Sequence, residues 1–258
     1  MNDIQTTVFG KLISEPKNDT CDKHGAFESR NIFGKVWSGC PACNSEQKAI
    51  AEREQAEKDA QERHASWVRR MGEAGIPERF RNRTLASYKA TNAGQKRALV
   101  FMTEYAEQFS RVSETGRSAI LCGFPGTGKT HLAIGVALHV MTIGKAAAFT
   151  TVQRMIRRLK DSWRKDSLES ESDVINLLVY PDLLIIDEIG VQFGSEFEKN
   201  FMFDLLNERY EKRKPTILLS NLTTAEIEIF LGERVYDRLK EDGGQYVSFD
   251  WVSFRGKA

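Results

Sequence analysis

Short apolar runs, each ending at a polar or glycine-rich turn, recur through the later part of this chain, at 118–122, 146–151, 183–186 and 216–220. Brief runs without strict alternation suit strands buried on both faces. Between them the apolar positions return at helical spacing, which predicts helices over 95–110, 131–140, 152–163 and 196–212. Shorter helices are expected over 226–231 and 233–240, and a last strand over 246–249. From about Ile76 onward helix and strand alternate, which predicts an α/β unit with a mostly parallel sheet flanked by helices.

The pattern changes upstream. Residues 46–72 are rich in Ala, Glu, Gln, Lys and Arg, without Pro and without Gly before Gly72, a composition that favours helix. Ile50, Trp67, Val68 and Met71 are its sparse apolar positions, so the helix is expected to be solvated along much of its length. Gly75-Ile76-Pro77 breaks it. Residues 1–45 are polar and carry three of the four cysteines. The expected organisation is a small module at 1–45, a helical linker or partner-binding arm at 46–74, and the α/β domain at 75–258.

Composition narrows the class. Charged residues are 28% and hydrophobic residues 41% of 258, as in soluble globular proteins. A net charge of +1 provides no global basic field, so any nucleic-acid contact has to be a local patch. No apolar stretch reaches bilayer length, and the first residues lack a signal-peptide pattern. Four cysteines are too few for a disulfide scaffold, so a reducing, cytoplasmic setting without a membrane partner is expected.

The segment Gly123, Phe124, Pro125, Gly126, Thr127, Gly128, Lys129, Thr130 is G-x-x-x-x-G-K-T, at the junction of an expected strand and an expected helix, and with His131 at the start of that helix it is the expected nucleotide-binding set. Backbone N–H groups of such a loop cradle phosphate oxygens, and the helix aims its positive end at the same charge. Lys129 is expected to reach the β- and γ-phosphates of ATP, and the Thr130 hydroxyl to hold Mg²⁺.

Asp187 and Glu188 follow the apolar run 183–186. A carboxylate at the tip of a buried strand is costly without a role. Asp187 is expected to hold Mg²⁺ and Glu188 to deprotonate an attacking water, a strand-end turn cap being the plainer alternative for Asp187. Asn221, after 216–220, is expected to position that water, or else simply to form the turn. Arg234 and Arg238, four apart, share a helix face. Either could meet a γ-phosphate in trans, or pair locally with Asp237.

Cys21-x-x-His24 and Cys40-x-x-Cys43 are two ligand pairs at metal spacing, with fifteen residues between His24 and Cys40. Three thiolates and one imidazole form a closed structural Zn²⁺ set, the alternative being free thiols. Gly25, Gly34 and Gly39 permit turns, and Phe27, Ile32, Phe33 and Trp37 could form a small core. Cys122, alone on a core strand, reads as a packed apolar residue.

Taken in order, the phosphate loop, Leu-Leu-Ile-Ile-Asp-Glu-Ile-Gly, Asn-Glu-Arg-Tyr, Leu-Ser-Asn-Leu, Gly-Glu-Arg-Val-Tyr-Asp-Arg-Leu and Phe-Asp-Trp-Val-Ser-Phe-Arg resemble the DnaC-type helicase loaders of bacteria and their phages, AAA+ ATPases close to DnaA. Gly-Ile-Pro-Glu-Arg-Phe at 75–80 and Leu-Ala-Ser-Tyr at 85–88 fit as well, so the resemblance spans about residues 70–255. It implies an AAA+ core, which here would follow the zinc knuckle and helical linker read from the residues; not all such loaders carry the Cys/His pairs, so the resemblance weakens in that zone. It also implies ATP hydrolysis, binding to the hexameric replicative helicase and single-stranded DNA, and self-assembly through the ATPase domain on the helicase. Asn221 falls on the family's sensor position, Arg238 on its trans-acting arginine finger with Arg234 nearby, and Arg209 is a second finger candidate.

The family's single-stranded-DNA insertion corresponds here to 153–165. Arg154, Arg157, Arg158 and Lys165 lie near one face of that stretch, and Met155, Ile156, Leu159 and Trp163 nearer the other. Such a face can track phosphates, or be merely solvated. By position, residues 1–72 should grip the helicase. An IstB-like transposition helper shares the same core, and a zinc-stapled DNA adaptor that binds nucleotide without turnover is the rival of another class.

Overall fold

A tight antiparallel hairpin, β1 (Lys17–Cys21) and β2 (Gly25–Ser29), leads into the long helix α1 (Pro41–Met71) in the computed structural model, which describes residues 16–31, 36–71, 75–190 and 196–254. Ile32 and Phe33, expected in the small N-terminal core, and Gly34, expected in a turn, lie outside the described residues. The helix begins earlier than its composition suggested. Pro41 suits a first helical position, where no N–H is needed, and this puts Cys43 on the first turn.

The chain divides into two compact units, Met1–Ala65 and Ser66–Ala258. The second begins before the Gly75 boundary read from sequence, because Trp67 is only 5% exposed and joins a core of the α/β unit. Its indole Nε1 donates to Leu177 O at 3.2 Å, and its ring lies 5.5 Å from that of Tyr180.

After two 3₁₀ turns at Glu78–Phe80 and Leu85–Ser87, the second unit runs α2 (Ala93–Glu107), α3 (Phe109–Thr115), β3 (Ala119–Gly123), α4 (Lys129–Thr142), β4 (Ala147–Thr151) and α5 (Val152–Ser162). It continues through α6 (Glu171–Val179), β5 (Leu183–Ile189), α7 (Glu196–Glu211), β6 (Thr216–Ser220), α8 (Thr224–Leu231), α9 (Glu233–Lys240) and β7 (Gln245–Phe249). Among the described residues the sheet has the order β4-β5-β6-β3-β7, with every neighbouring pair parallel. This is the parallel, helix-flanked α/β sheet that the sequence pattern predicts.

Successive side chains of the central strands enter different cores, as the two-residue period of a strand requires. Ala119 and Leu121 of β3, Leu183 and Ile185 of β5, and Ile217 and Leu219 of β6 pack with Met102, Phe109, Leu132 and Ile134 from α2, α3 and α4. Ile120 and Cys122, Leu184 and Ile186, and Leu218 face the other way, towards Leu159, Leu178, Leu205 and Tyr236 from α5, α6, α7 and α9. Cys122 is thus a packed core residue, 1% exposed.

Two helical details depart from the apolar pattern. The stretch 95–110 is interrupted at Gln108, so α2 and α3 are separate. Between Trp163 and Leu183, where the periodicity predicts no element, the chain forms α6. Its signal is a capping box, Ser170 accepting from Asp173 N–H while the Asp173 carboxylate accepts from Ser170 N–H, ahead of Val174, Leu177 and Leu178. Among the described residues no helix is long and apolar enough to cross a membrane.

Candidate active site

The glycine-rich loop leaves β3 at Gly123 and enters α4 at Lys129, so helix and strand both aim at its concave side. Gly123 (φ +119°) and Gly128 (φ +101°) are required by close approach as well as by backbone conformation. A Cβ would lie 2.4 Å from Phe249 O at Gly123 and 2.6 Å from the Tyr88 ring at Gly128.

Two distant segments brace this loop. Phe124 N–H donates to Phe249 O and Phe254 N–H to Gly126 O, both at 2.9 Å. Thr127 O accepts from Trp251 Nε1 (3.0 Å) and from the Tyr88 hydroxyl (3.2 Å). Burial pushes Tyr88 up to about 12, so its hydroxyl stays a neutral donor. The carbonyls of Gly126 and Thr127 are thus engaged from outside. The backbone N–H groups of Gly126, Thr127 and Gly128 meet no acceptor among the described residues, which is the arrangement an anion needs. The motifs at 85–88 and 249–254 thereby acquire a physical role that sequence order alone did not reveal.

The polar groups converge beneath the loop, at the carboxyl ends of β3, β5 and β6. Lys129 is buried, and its Nζ donates to Gly123 O (2.7 Å), Phe124 O (2.8 Å) and Asn221 Oδ1 (3.0 Å). Thr130 Oγ1 donates to Asp187 Oδ2 at 3.0 Å, and Glu188 N–H donates to Asp187 Oδ1 at 2.7 Å. Asp187 is therefore engaged through both oxygens. Glu188 is exposed and has φ +66°, a left-handed conformation that costs an ordinary residue about 1–3 kcal/mol and tends to persist at functional sites. Thr130 Oγ1 and Asp187 Oδ2 are hard oxygen donors side by side, a set that suits Mg²⁺.

His131 is a correction to the expected nucleotide set. Its Nε2–H donates to Thr84 O at 2.9 Å, with Ser87 Oγ at 3.1 Å, and its ring meets Tyr88 edge-on at 5.3 Å. The ring is committed to the 84–88 segment and is absent from the group around Lys129. Burial, outweighing the Thr84 hydrogen bond, holds its pKa below the ordinary value of 6.5.

The arginines separate sharply. Arg209 is fully buried. Its guanidinium donates to Thr216 Oγ1 (2.9 Å), Leu178 O (3.0 Å), Val179 O (3.2 Å), Pro181 O (3.1 Å) and Pro215 O (2.7 Å). The expectation that Arg209 is a trans finger is therefore wrong, since a side chain spent on five internal acceptors cannot face a neighbouring subunit. It staples the end of α7 to the entries of β5 and β6. Arg234 and Arg238 lie instead on the surface side of α9. Arg238 donates to Asn207 Oδ1 and stands 4.9 Å over the Tyr210 ring, and Arg234 stands 5.8 Å over Phe203. Neither makes the local ion pair with Asp237 that the sequence left open.

The expected basic face of α5 is thinner than its sequence. Arg158 forms a bidentate pair with Glu169 at 2.7 and 2.8 Å, and Arg154 donates to Gly75 O at 3.2 Å. Met155, Ile156 and Leu159 are buried as expected, but Trp163 is half exposed, packed edge-on against Phe197 at 4.9 Å.

In the first unit Cys21, His24, Cys40 and Cys43 converge, their ligand atoms all within 4.8 Å of one another. His24 Nδ1 lies 3.3 Å from Cys43 Sγ, 3.7 Å from Cys40 Sγ and 3.8 Å from Cys21 Sγ, while Cys21 and Cys43 Sγ are 3.5 Å apart. These are four of the six separations among four ligand atoms, a compact set of thiol and imidazole donors that fits Zn²⁺. His24 Nε2 faces Glu46 Oε1 at 3.1 Å, a carboxylate that orients the ring and that ligand spacing does not disclose.

A family model described as IstB-like ATP binding protein matches residues 48–239. The chain is 35% identical over 189 residues to the replicative helicase loader DnaC of Escherichia coli (strain K12), covering 73% of this chain and 76% of that protein. The crystal structure of the DnaC helicase loader superposes with a TM-score of 0.60 at 23% identity, covering 67% of this chain and 100% of that one. AMPPCP-bound DnaA from Aquifex aeolicus shares the fold at a TM-score of 0.55 and 20% identity, over 67% of this chain and 51% of its own. The Cys/His cluster lies outside the matched family segment.

Proposed function

Because the chain belongs to the DnaC/IstB-like family of AAA+ ATP-binding proteins, we propose that it is an ATP-dependent loader of a hexameric replicative helicase. In this reading it binds that helicase and single-stranded DNA as replication starts, and hydrolysis releases it. The observation that carries the reading is the convergence of Lys129, Thr130, Asp187 and Asn221 under an anion-ready loop, in a chain one-third identical to named helicase loaders.

The chemistry follows from the groups present. The loop's N–H groups and Lys129 bind the phosphates, Lys129 exchanging the carbonyls of Gly123 and Phe124 for phosphate oxygens. Thr130 and Asp187 would hold Mg²⁺, which would supply neutralisation of phosphate charge. Asn221 orients a water, Glu188 takes its proton, and the water oxygen bonds to the γ-phosphorus as the bond to the ADP oxygen breaks. Arg238, with Arg234 beside it, stabilises the developing charge on a neighbouring copy's nucleotide, so hydrolysis depends on assembly. Arg157 and Lys165 supply the remaining DNA-tracking charge of the α5 region. Residues 1–45 form a zinc-stapled module, and with α1 they grip the helicase.

Co-purification with a replicative helicase, with and without ATP, tests the partner. ATP-dependent capture supports the loader, whereas capture of a transposase instead supports an IstB-like transposition helper, the alternative that shares the matching IstB-like family. Glu188→Gln tests the chemistry, since it should preserve ATP binding while lowering turnover by about 10²–10⁴-fold. A wild-type chain that never hydrolyses ATP, even with single-stranded DNA and helicase present, would instead be a nucleotide-binding adaptor.

A further inference from the structure

The Asn-Glu-Arg-Tyr segment at 207–210 closes α7. Arg209 turns inward and locks this turn to the sheet. Asn207 and Tyr210, three apart, share the opposite face of the helix, and both meet Arg238 of α9. Asn207 Oδ1 accepts from the guanidinium, and the Tyr210 ring lies 4.9 Å beneath it. One turn earlier Phe203 underlies Arg234 in the same way, at 5.8 Å. Two rows of residues, 203–207–210 and 234–238, thus face each other across the packed helices.

The chemistry of this clamp is unusual in one respect. Acidic residues are close in sequence, namely Glu233, Asp237, Glu241 and Asp242. None of them forms an ion pair with Arg238 among the described residues, and Glu241 instead accepts from the Tyr210 hydroxyl. A neutral amide and an aromatic face therefore hold the guanidinium in place without an ion pair. An arginine side chain left free would lose rotamer entropy on meeting an anion, and a clamped one has already lost it.

We propose that Asn207 and Tyr210 are positioning residues that present Arg238, held without an ion pair, as a fixed cation to the nucleotide of a neighbouring copy of this chain. The proposal rests on the reading of Arg238 as a trans arginine. Asn207 and Tyr210 touch no nucleotide and act only through that side chain.

The test measures phosphate release by the full chain with Mg²⁺ and a single-stranded oligothymidylate. Asn207→Leu and Tyr210→Leu should each lower kcat about ten- to a hundredfold, with KM and ATP binding unchanged, because each copy's own site stays intact. Tyr210→Phe keeps the aromatic face and should retain turnover. Tyr210 is 37% exposed, so its variants are expected to fold even where Asn207→Leu does not. The deciding readout is complementation. Asn207→Leu copies carry intact sites and Glu188→Gln copies carry intact clamps, so a mixture should regain turnover that neither has alone. A defect acting within its own copy gives no recovery. Recovery with Arg238→Ala plus Glu188→Gln, but not with Asn207→Leu plus Glu188→Gln, would overturn the clamp and leave the trans role of Arg238 standing. Recovery in neither mixture would remove the trans role and the clamp together, and wild-type kcat in both leucine variants would overturn the clamp alone.

Discussion

Thr130 Oγ1 donates to Asp187 Oδ2 over 3.0 Å, joining residues 57 positions apart at the tips of adjoining elements. The bond brings the two expected magnesium ligands together. Asp187→Asn keeps the shape but loses the charge that a divalent cation needs. Turnover should fall at least about a hundredfold, and the magnesium concentration for half-maximal rate should rise. An unchanged magnesium titration would remove Asp187 from the metal site.

Arg209 should behave as a structural residue. Arg209→Leu leaves Thr216 and four backbone carbonyls without their buried donor. Each unsatisfied buried group costs about 1–3 kcal/mol, so a net loss of about 3 kcal/mol or more is expected as a lowered Tm or denaturation midpoint. In a mixture with Glu188→Gln copies, any lost turnover should stay lost. Recovery there, with stability unaltered, would restore Arg209 as a trans residue.

His131 links stability to pH. Burial sets its folded pKa below the ordinary 6.5, so in that window the unfolded chain binds more protons than the folded one. Stability therefore falls as pH drops from about 6.5 towards the lower folded value, and is fully present above 6.5. His131→Gln should flatten this part of a Tm-against-pH curve. A slope of equal size in both proteins would assign the effect to other groups.

The metal cluster and the nucleotide site belong to different compact units. The purified chain should hold about one zinc per molecule, and Cys40→Ser or a strong chelator should release it and unfold the β1–β2 hairpin, seen as lost amide dispersion by NMR. ATP binding should survive. A chain beginning at Ser66, which keeps Trp67 in its core, should also bind ATP yet fail to capture helicase. Absence of zinc, or full capture by the shortened chain, would refute the two halves of this expectation separately.

Much of the site was legible because its chemistry is contiguous. The loop 123–130 carries its own conformation in its glycines, and Asp187 and Glu188 announce themselves as carboxylates at the end of an apolar strand. The same holds for the two Cys/His pairs, whose spacing alone implies a shared ligand. The three arginines were not legible in this way. Arg209 and Arg238 look equally plausible in a helix sequence, and one is spent on core carbonyls while the other stands on Tyr210.

Local spacing and hydrophobic period thus determined the parallel α/β core, the phosphate loop and the four metal-type ligands, because each is a property of neighbours along the chain. Tertiary packing alone decided which arginine is internal, that His131 serves the 84–88 segment, that Trp67 belongs to the second core, and that 249–254 braces the loop. Those outcomes depend on which surfaces come to lie against one another, and burial of a long polar side chain is set by its distant neighbours rather than by its own sequence.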